Sequence, residues 1–382
     1  METIIDQEPQ DAYAPETPKE AAGRLMMIGW EGRDSGEIRE LIDEFRPGGL
    51  IFFRRNYPIS WDTVRFDPNY PLSLGPNAGE PVSLDPGKVD LKAPALLQEI
   101  LDKVQKYALK TLGRPLIIAL DQEGGQVRRL KEPYFKAPSA RVLGGMEPLE
   151  VQRLAYRMGR ELKETGFNLN LAPVLDLDLK IDEGLKGYIG DRSLGAEPLK
   201  VTVMAKAFVA GLLKAGVLAC GKHFPGLGGA VLDPHEKAPE INLSPEEMAG
   251  SLSVFKEMIA ANLPALMTTH ALYPSLDPEC LATFSQKIVQ LLRVNLGFKG
   301  LLLSDDLEMG AIAGERDLGQ AAVRSVLAGH DLLLVCRKIT AIRTVQGALV
   351  TAISQGQITE GHLLESSLRL NGFLAQVAKT SG

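Results

Sequence analysis

Between Gly221 and His235 the chain reads GKHFPGLGGAVLDPH, and several of these side chains can do chemistry. Lys222 and His223 end a short apolar run, Val217 to Cys220, and Asp233 and His235 follow a glycine-rich stretch. In extended backbone, side chains at i and i+2 share a face, and Pro234 restricts the chain between them. A carboxylate bonded to imidazole orients the ring and raises its pKa, which gives a proton donor near neutral pH. Gly226, Gly228 and Gly229 give the stretch freedom to swing over a cleft. The plainer alternative is a surface loop with incidental charges.

Other acidic and basic residues also end apolar runs. Asp305, in LLLSDDLEM, can attack an electrophilic carbon or bind a cation, and either it or Asp306 can cap the following helix and leave the other to face the cavity. Asp121, in ALDQEGG, can accept from vicinal hydroxyls, and Arg129 lies eight residues on. Arg192, in GDRS, can clamp a substrate oxygen or stand in solvent. Lys222 has two chemical readings, as a donor to hydroxyls or, if desolvated, as a Schiff-base amine. His223 and His270 are candidates whose simpler place is the core, and His330 and His362 read as structural or exposed. No His/carboxylate set has compact ligand spacing, so no metal is expected.

Positioning these groups takes a repeated scaffold. Eight short apolar runs alternate with helix-like segments: Arg24–Trp30, Gly48–Phe53, Pro115–Asp121, Phe167–Pro173, Val217–His223, Ala265–His270, Gly300–Asp306 and Asp331–Cys336. Several are apolar on both faces, as strands between a barrel interior and outer helices are. Ser244-Pro245-Glu246-Glu247 reads as a capping box, and Gly166, Gly216 and Gly297 as C′ glycines. Eight strand–helix units with functional residues at strand ends predict an α/β protein, a (β/α)8 barrel whose active face gathers those ends. Residues 1–20 read as an N-terminal extension and 21–382 as one catalytic domain. Within that domain, 56–92 is a Pro/Asp/Ser/Gly-rich insertion after the second strand, and 340–382 reads as one or two closing helices.

The bulk numbers narrow the partners. The 382 residues are 45% hydrophobic and carry a net charge of −6 with no basic block, so nucleic acid is not an expected partner. No run approaches the ~18 apolar residues of a membrane span, and the acidic first twenty residues do not read as a signal peptide. Cys220, Cys280 and Cys336 are widely spaced, with Cys280 in a Pro/Asp-containing loop, which suits a reduced, cytoplasmic setting.

The motifs DQEGGQVRR, IGDRS, GKHFPG, DPH and SDDLEM, in this order, resemble those of glycoside hydrolase family 3. The likeness is to its single-domain β-N-acetylglucosaminidases, from about Ala22 to Val335, interrupted by the insertion. It implies a TIM-type barrel that releases terminal β-linked N-acetylglucosamine with retention, from peptidoglycan fragments in the cytoplasm and without a cofactor. It also implies that Asp305 is the nucleophile, that His235 is the acid/base with Asp233 as partner, and that Asp121, Arg129, Arg192, Lys222 and His223 hold the sugar. The chain departs from the family at Leu227 and Gly229, which replace polar residues, and at Gln126, which replaces an arginine. Other outcomes stay open: a β-glycoside phosphorylase, a β-glucosidase, a lyase using Lys222, or a sugar-binding barrel without turnover. Oligomeric state is not legible.

Overall fold

The computed structural model of the chain describes residues 17–32, 35–56, 93–179, 188–230, 238–313 and 317–379. All eight apolar runs contain a barrel strand: β1 (Met26–Ile28), β2 (Gly49–Phe52), β3 (Ile117–Leu120), β4 (Leu169–Asn170), β5 (Leu218–Phe224), β6 (Ala265–Thr268), β7 (Leu301–Asp306) and β8 (Leu332–Val335). Each pairs in parallel with its sequence neighbours, and β1 pairs with β8, so the barrel closes. This is the (β/α)8 architecture that the alternation predicts.

The strands are apolar on both sides because both sides are covered. One parity, including Met27, Ile117, Ala119, Leu218, Cys220, Leu301 and Leu303, packs together inside the barrel. The other, including Ile118, Leu120, Ala219, Leu302 and Leu333, packs with the surrounding helices. Period two then fixes what reaches the mouth. The next inward position is Asp121 after β3 and Lys222 on β5, and Asp305 stands at the same end of β7, past a register shift after Leu303.

The floor is closed by the tail, which forms two helices, Ile339–Ser354 and Glu360–Lys379. Leu370, Phe373 and Leu374 lie on one face of the second helix and join the interior cluster. Burying each stabilises the closure by about 1.5–3 kcal/mol. Asp331, just before β8, fastens the same helix. It accepts from Ser366 Oγ at 3.1 Å and Arg369 Nη1 at 2.7 Å on one oxygen, and from Arg293 Nη2 at 2.7 Å and the Leu302 N–H at 2.8 Å on the other.

The helix punctuation is as read. The Ser244–Glu247 capping box is formed in both directions, and Gly166, Gly216 and Gly297 have φ of 109°, 87° and 73°. A helix over Pro18–Arg24, capped by Thr17, starts inside the stretch read as an extension. Cys280 corrects its loop reading: it lies in a strand, Asp277–Leu281, paired with Leu272–Tyr273. All three cysteines are free thiols. Asn56, the first residue of the insertion, is buried and donates to the carbonyls of Trp30 and Gly32, each at 2.9 Å. Residues 57–92 and 1–16 lie outside the described residues. No described helix is long and apolar enough to cross a membrane.

Candidate active site

Lys222 is the centre of a buried charged lattice at the mouth. Its Nζ stands 2.8 Å from Asp121 Oδ1 and 2.7 Å from Glu123 Oε1. Arg129 Nη2 donates to Asp121 Oδ2 at 3.0 Å. Arg192 grips Glu123 with two bonds, Nε to Oε2 and Nη2 to Oε1, both 2.9 Å. Three cations thus share two carboxylates. Burial pushes the Asp121 carboxyl up, but Lys222 and Arg129 outweigh it and hold the group well below the usual carboxylate range. Burial acts on Glu123 in the same way, and Arg192 and Lys222 bring it down to about 2. Burial pulls the Lys222 ammonium down, and Asp121 and Glu123 more than reverse it. A lysine held charged is a hydrogen-bond donor, and it is a poor Schiff-base nucleophile, which needs the free amine. The lyase reading loses its chemical basis here.

Local structure explains how these groups meet. After Asp121 the chain makes a hairpin, Gln122–Gly124 against Val127–Arg128. Gly124 and Gly125 turn it with φ of 103° and 59°, and a Cβ at Gly124 would overlap the Pro138 carbonyl. The hairpin returns Arg129 onto Asp121 and sets its guanidinium 5.3 Å from the Phe53 ring centre. Arg192 sits on a 3₁₀ turn, Gly190–Arg192, in the loop after β4. Glu123 takes one edge of its fork, Nε and Nη2, and so fixes how the guanidinium is turned.

His223 is fixed by a residue that sequence reasoning missed. Its Nδ1 lies 2.6 Å from Asp176 Oδ2, and the other oxygen of Asp176 accepts the His223 N–H at 3.2 Å and the Leu227 N–H at 2.7 Å. Asp176 is fully buried. It stands in LAPVLDLD, where a carboxylate among apolar residues was the available signal.

Asp305 reaches the same mouth from β7. It lies near the end of that strand, at the same end of the parallel barrel as Asp121 after β3 and Lys222 on β5. Asp305 Oδ1 accepts the Asp306 N–H at 2.8 Å. Asp306 takes the capping role that sequence allowed to either residue. Its Oδ1 accepts from the Glu308 N–H at 3.1 Å and the Cys336 N–H at 3.2 Å.

The glycine stretch differs from its reading in residues 226–230. Leu227 is only 2% exposed. The Gly226 carbonyl accepts from Tyr273 Oη at 2.7 Å, and the Pro225 carbonyl from Ser251 Oγ at 2.9 Å. A Cβ on Gly228 would overlap the Leu177 carbonyl. The glycine at 228 therefore serves close packing, and Leu227 is a core residue whose backbone, in place of a polar side chain, makes the bond to Asp176. Asp233 and His235 lie outside the described residues.

A parallel barrel with an acid–base lattice at the C-terminal ends of its strands is the architecture of a barrel enzyme. Comparison with known proteins fixes which. The chain matches the Glycosyl hydrolase family 3 N terminal domain over residues 19–372. It is 33% identical over 330 residues to a β-hexosaminidase of Alkalilimnicola ehrlichii, covering 84% of this chain and 82% of that one. A β-N-acetylglucosaminidase of the same family from Paenibacillus sp. str. FPU-7 superposes with a TM-score of 0.81 at 32% identity, over 94% of this chain but 62% of that longer one. A β-N-acetylhexosaminidase from Beutenbergia cavernae superposes with a TM-score of 0.78 at 27% identity, over 95% of this chain and 100% of the other. The chain belongs to glycosyl hydrolase family 3, as a glycoside hydrolase of the β-N-acetylhexosaminidase type.

Proposed function

We propose that the chain releases terminal β-linked N-acetylglucosamine with retention, from fragments of peptidoglycan. The observation that carries the reading is that Asp305 stands near the end of a barrel strand, at the same mouth as the Lys222–Asp121 pair. The names of the relatives supply the sugar. In this reading an Asp305 oxygen attacks the anomeric carbon while the bond to the leaving oxygen breaks. His235, as imidazolium, gives that oxygen its proton, so a glycosyl ester and a free alcohol result. Neutral His235 then takes a proton from water, whose oxygen attacks the same carbon. The ester breaks, the Asp305 carboxylate returns, and two inversions give retention. Asp233 orients the ring of His235.

Asp121 has one protein donor on each oxygen and lone pairs left for two sugar hydroxyls. Lys222 and Arg129 donate to the same sugar. Arg192 and His223 also hold the sugar in this reading, each oriented by its own carboxylate, Glu123 and Asp176. The test is release of nitrophenol from the β-N-acetylglucosaminide and the β-glucoside, side by side, with and without phosphate. The reading expects the first substrate to react far faster, with the free sugar as product. Preference for the glucoside, or a sugar phosphate as product, overturns it in favour of the glucosidase or the phosphorylase.

A further inference from the structure

Phe53 directly follows β2 and faces inward. Ile51, on the same parity, belongs to the interior cluster, and Phe53 packs against that cluster, half-buried. Phe52 pairs with Leu120, so Phe53 and Asp121 end neighbouring strands at one level of the mouth. The backbone of Phe53 is tied at both of its polar groups. Its N–H donates to Asn56 Oδ1 at 2.9 Å, and its carbonyl accepts the Asn56 N–H at 2.9 Å. Asn56 is buried and bonded in turn to the carbonyls of Trp30 and Gly32. Arg55 covers the ring, with its Cζ 4.3 Å from the ring centre. That guanidinium donates from Nε to the Trp30 carbonyl at 2.9 Å and from Nη2 to the Cys336 carbonyl. The end of β2 is thus a fixed aromatic surface.

A second guanidinium uses that surface. Arg129 Cζ lies over the same ring, 5.3 Å from its centre, inside the ~6 Å reach of cation–π attraction. Among the described residues Arg129 makes one hydrogen bond, to Asp121 Oδ2 at 3.0 Å, and its Nε is buried without a partner. One bond leaves a planar group free to turn about it. Arg192 differs, because two bonds to Glu123 already set its direction. Arg129 needs a second contact to be aimed, and a guanidinium takes it from an aromatic face.

We propose that Phe53 is a positioning residue for Arg129. The ring limits how the guanidinium turns, and so aims at the sugar the N–H groups that Asp121 does not take. The inference deepens the functional reading above and rests on its assignment of Arg129 to the sugar.

A double-mutant cycle on the whole chain tests this. Phe53→Leu removes the ring but keeps an apolar side chain against the interior cluster. It should raise KM for the nitrophenyl β-N-acetylglucosaminide by about tenfold. The kcat should stay within about twofold, because Lys222 still holds Asp121. Phe53→Tyr keeps the ring and should stay within about twofold of the unaltered chain in both values. In an Arg129→Met background, Phe53→Leu should change KM by less than about twofold, since the group it positions is gone. A folded Phe53→Leu chain with unchanged KM overturns the proposal. So does an equal loss with and without Arg129, which is what a merely structural ring would give. Where Phe53→Leu does not fold, Phe53→Met takes its place in the cycle. Failure of the functional reading shows separately, as an unaltered chain that does not turn this substrate over. The cycle is then read in melting temperatures, where the ring–guanidinium contact makes the two losses non-additive without turnover, and additive losses overturn the proposal.

Discussion

At the floor of the barrel, Asp331 takes four donors, two on each carboxylate oxygen, and its side chain has no exposed surface. At the mouth, Asp121 takes two, Lys222 and Arg129, one on each oxygen, and its side chain is 13% exposed. Each aspartate is held by two cations. A carboxylate offers about four lone-pair sites. Asp331 has none left, so its network can only hold a helix against the floor. Asp121 has some left, and they face the cavity. The difference separates a charge that fastens from a charge that can bind, though both sit in the same fold at opposite ends of the same strands.

The largest way to break this comparison is at Asp305. Asp305→Ala should lower turnover by ~10⁴-fold or more, as loss of a covalent catalyst does. The melting temperature should hold, because among the described residues Asp305 makes no ion pair. Mass spectrometry after a 2-fluoro sugar should find the ester on Asp305 in the unaltered chain. Substantial turnover by the variant, or an ester on Asp306, would remove the mouth's claim to chemistry.

A smaller effect tests the two lattices against each other. Asp331→Ala leaves the part-buried Arg293 without its carboxylate, leaves Arg369 only Glu365, and should cost about 3–5 kcal/mol of stability. Folded molecules of that variant should keep their kcat. Lys222→Met should do the reverse. Arg129 and Arg192 still hold Asp121 and Glu123, so stability falls less, while kcat/KM drops by ~10²-fold or more with the lost sugar donor. Urea titrations and nitrophenol kinetics on both variants give the four values. Equal stability losses would show that the mouth is built as the floor is.

Much of this was legible in the sequence because period two is a local rule. Ile117 and Ala119 place Asp121 inside without any knowledge of neighbours, whereas a register shift between Leu303 and Asp306 breaks the alternation just before Asp305 is placed. The capping box at Ser244 was readable for the same reason, since four adjacent residues complete it. What was not legible is pairing across the chain. Glu123 meets Arg192 across 69 positions and Asp176 meets His223 across 47, and nothing local in either stretch names its partner. Leu227 and Gly228 misled for a related reason. A glycine run promises freedom in sequence, and only the neighbours Leu177, Tyr273 and Ser251 show that it is packed. His270 could be placed near the core, but its contacts with Thr283 and the Asp306 carbonyl lie 13 and 36 positions away.

Asp306 sharpens the comparison from a third side, with the smallest effect. It is a mouth carboxyl bonded to two backbone N–H groups, and none of the described cations forms an ion pair with it. Burial pushes it up to about 7, and the negative neighbours Glu308 and Asp305 add to that. In the unfolded chain it should titrate near about 4. A folded pKa above the unfolded one means that its contribution is fully present below about pH 4 and is lost as pH rises through about 7. Asp306→Asn keeps an acceptor for both N–H groups and cannot ionise. Relative to the unaltered chain, the variant should therefore gain stability steadily between pH 4 and pH 8, by roughly 1–3 kcal/mol after allowing for partial solvent screening. Urea titrations across that range measure the difference. A flat difference would mean that Asp306 keeps one charge across the range, and that a cation reaches it as one reaches Asp121.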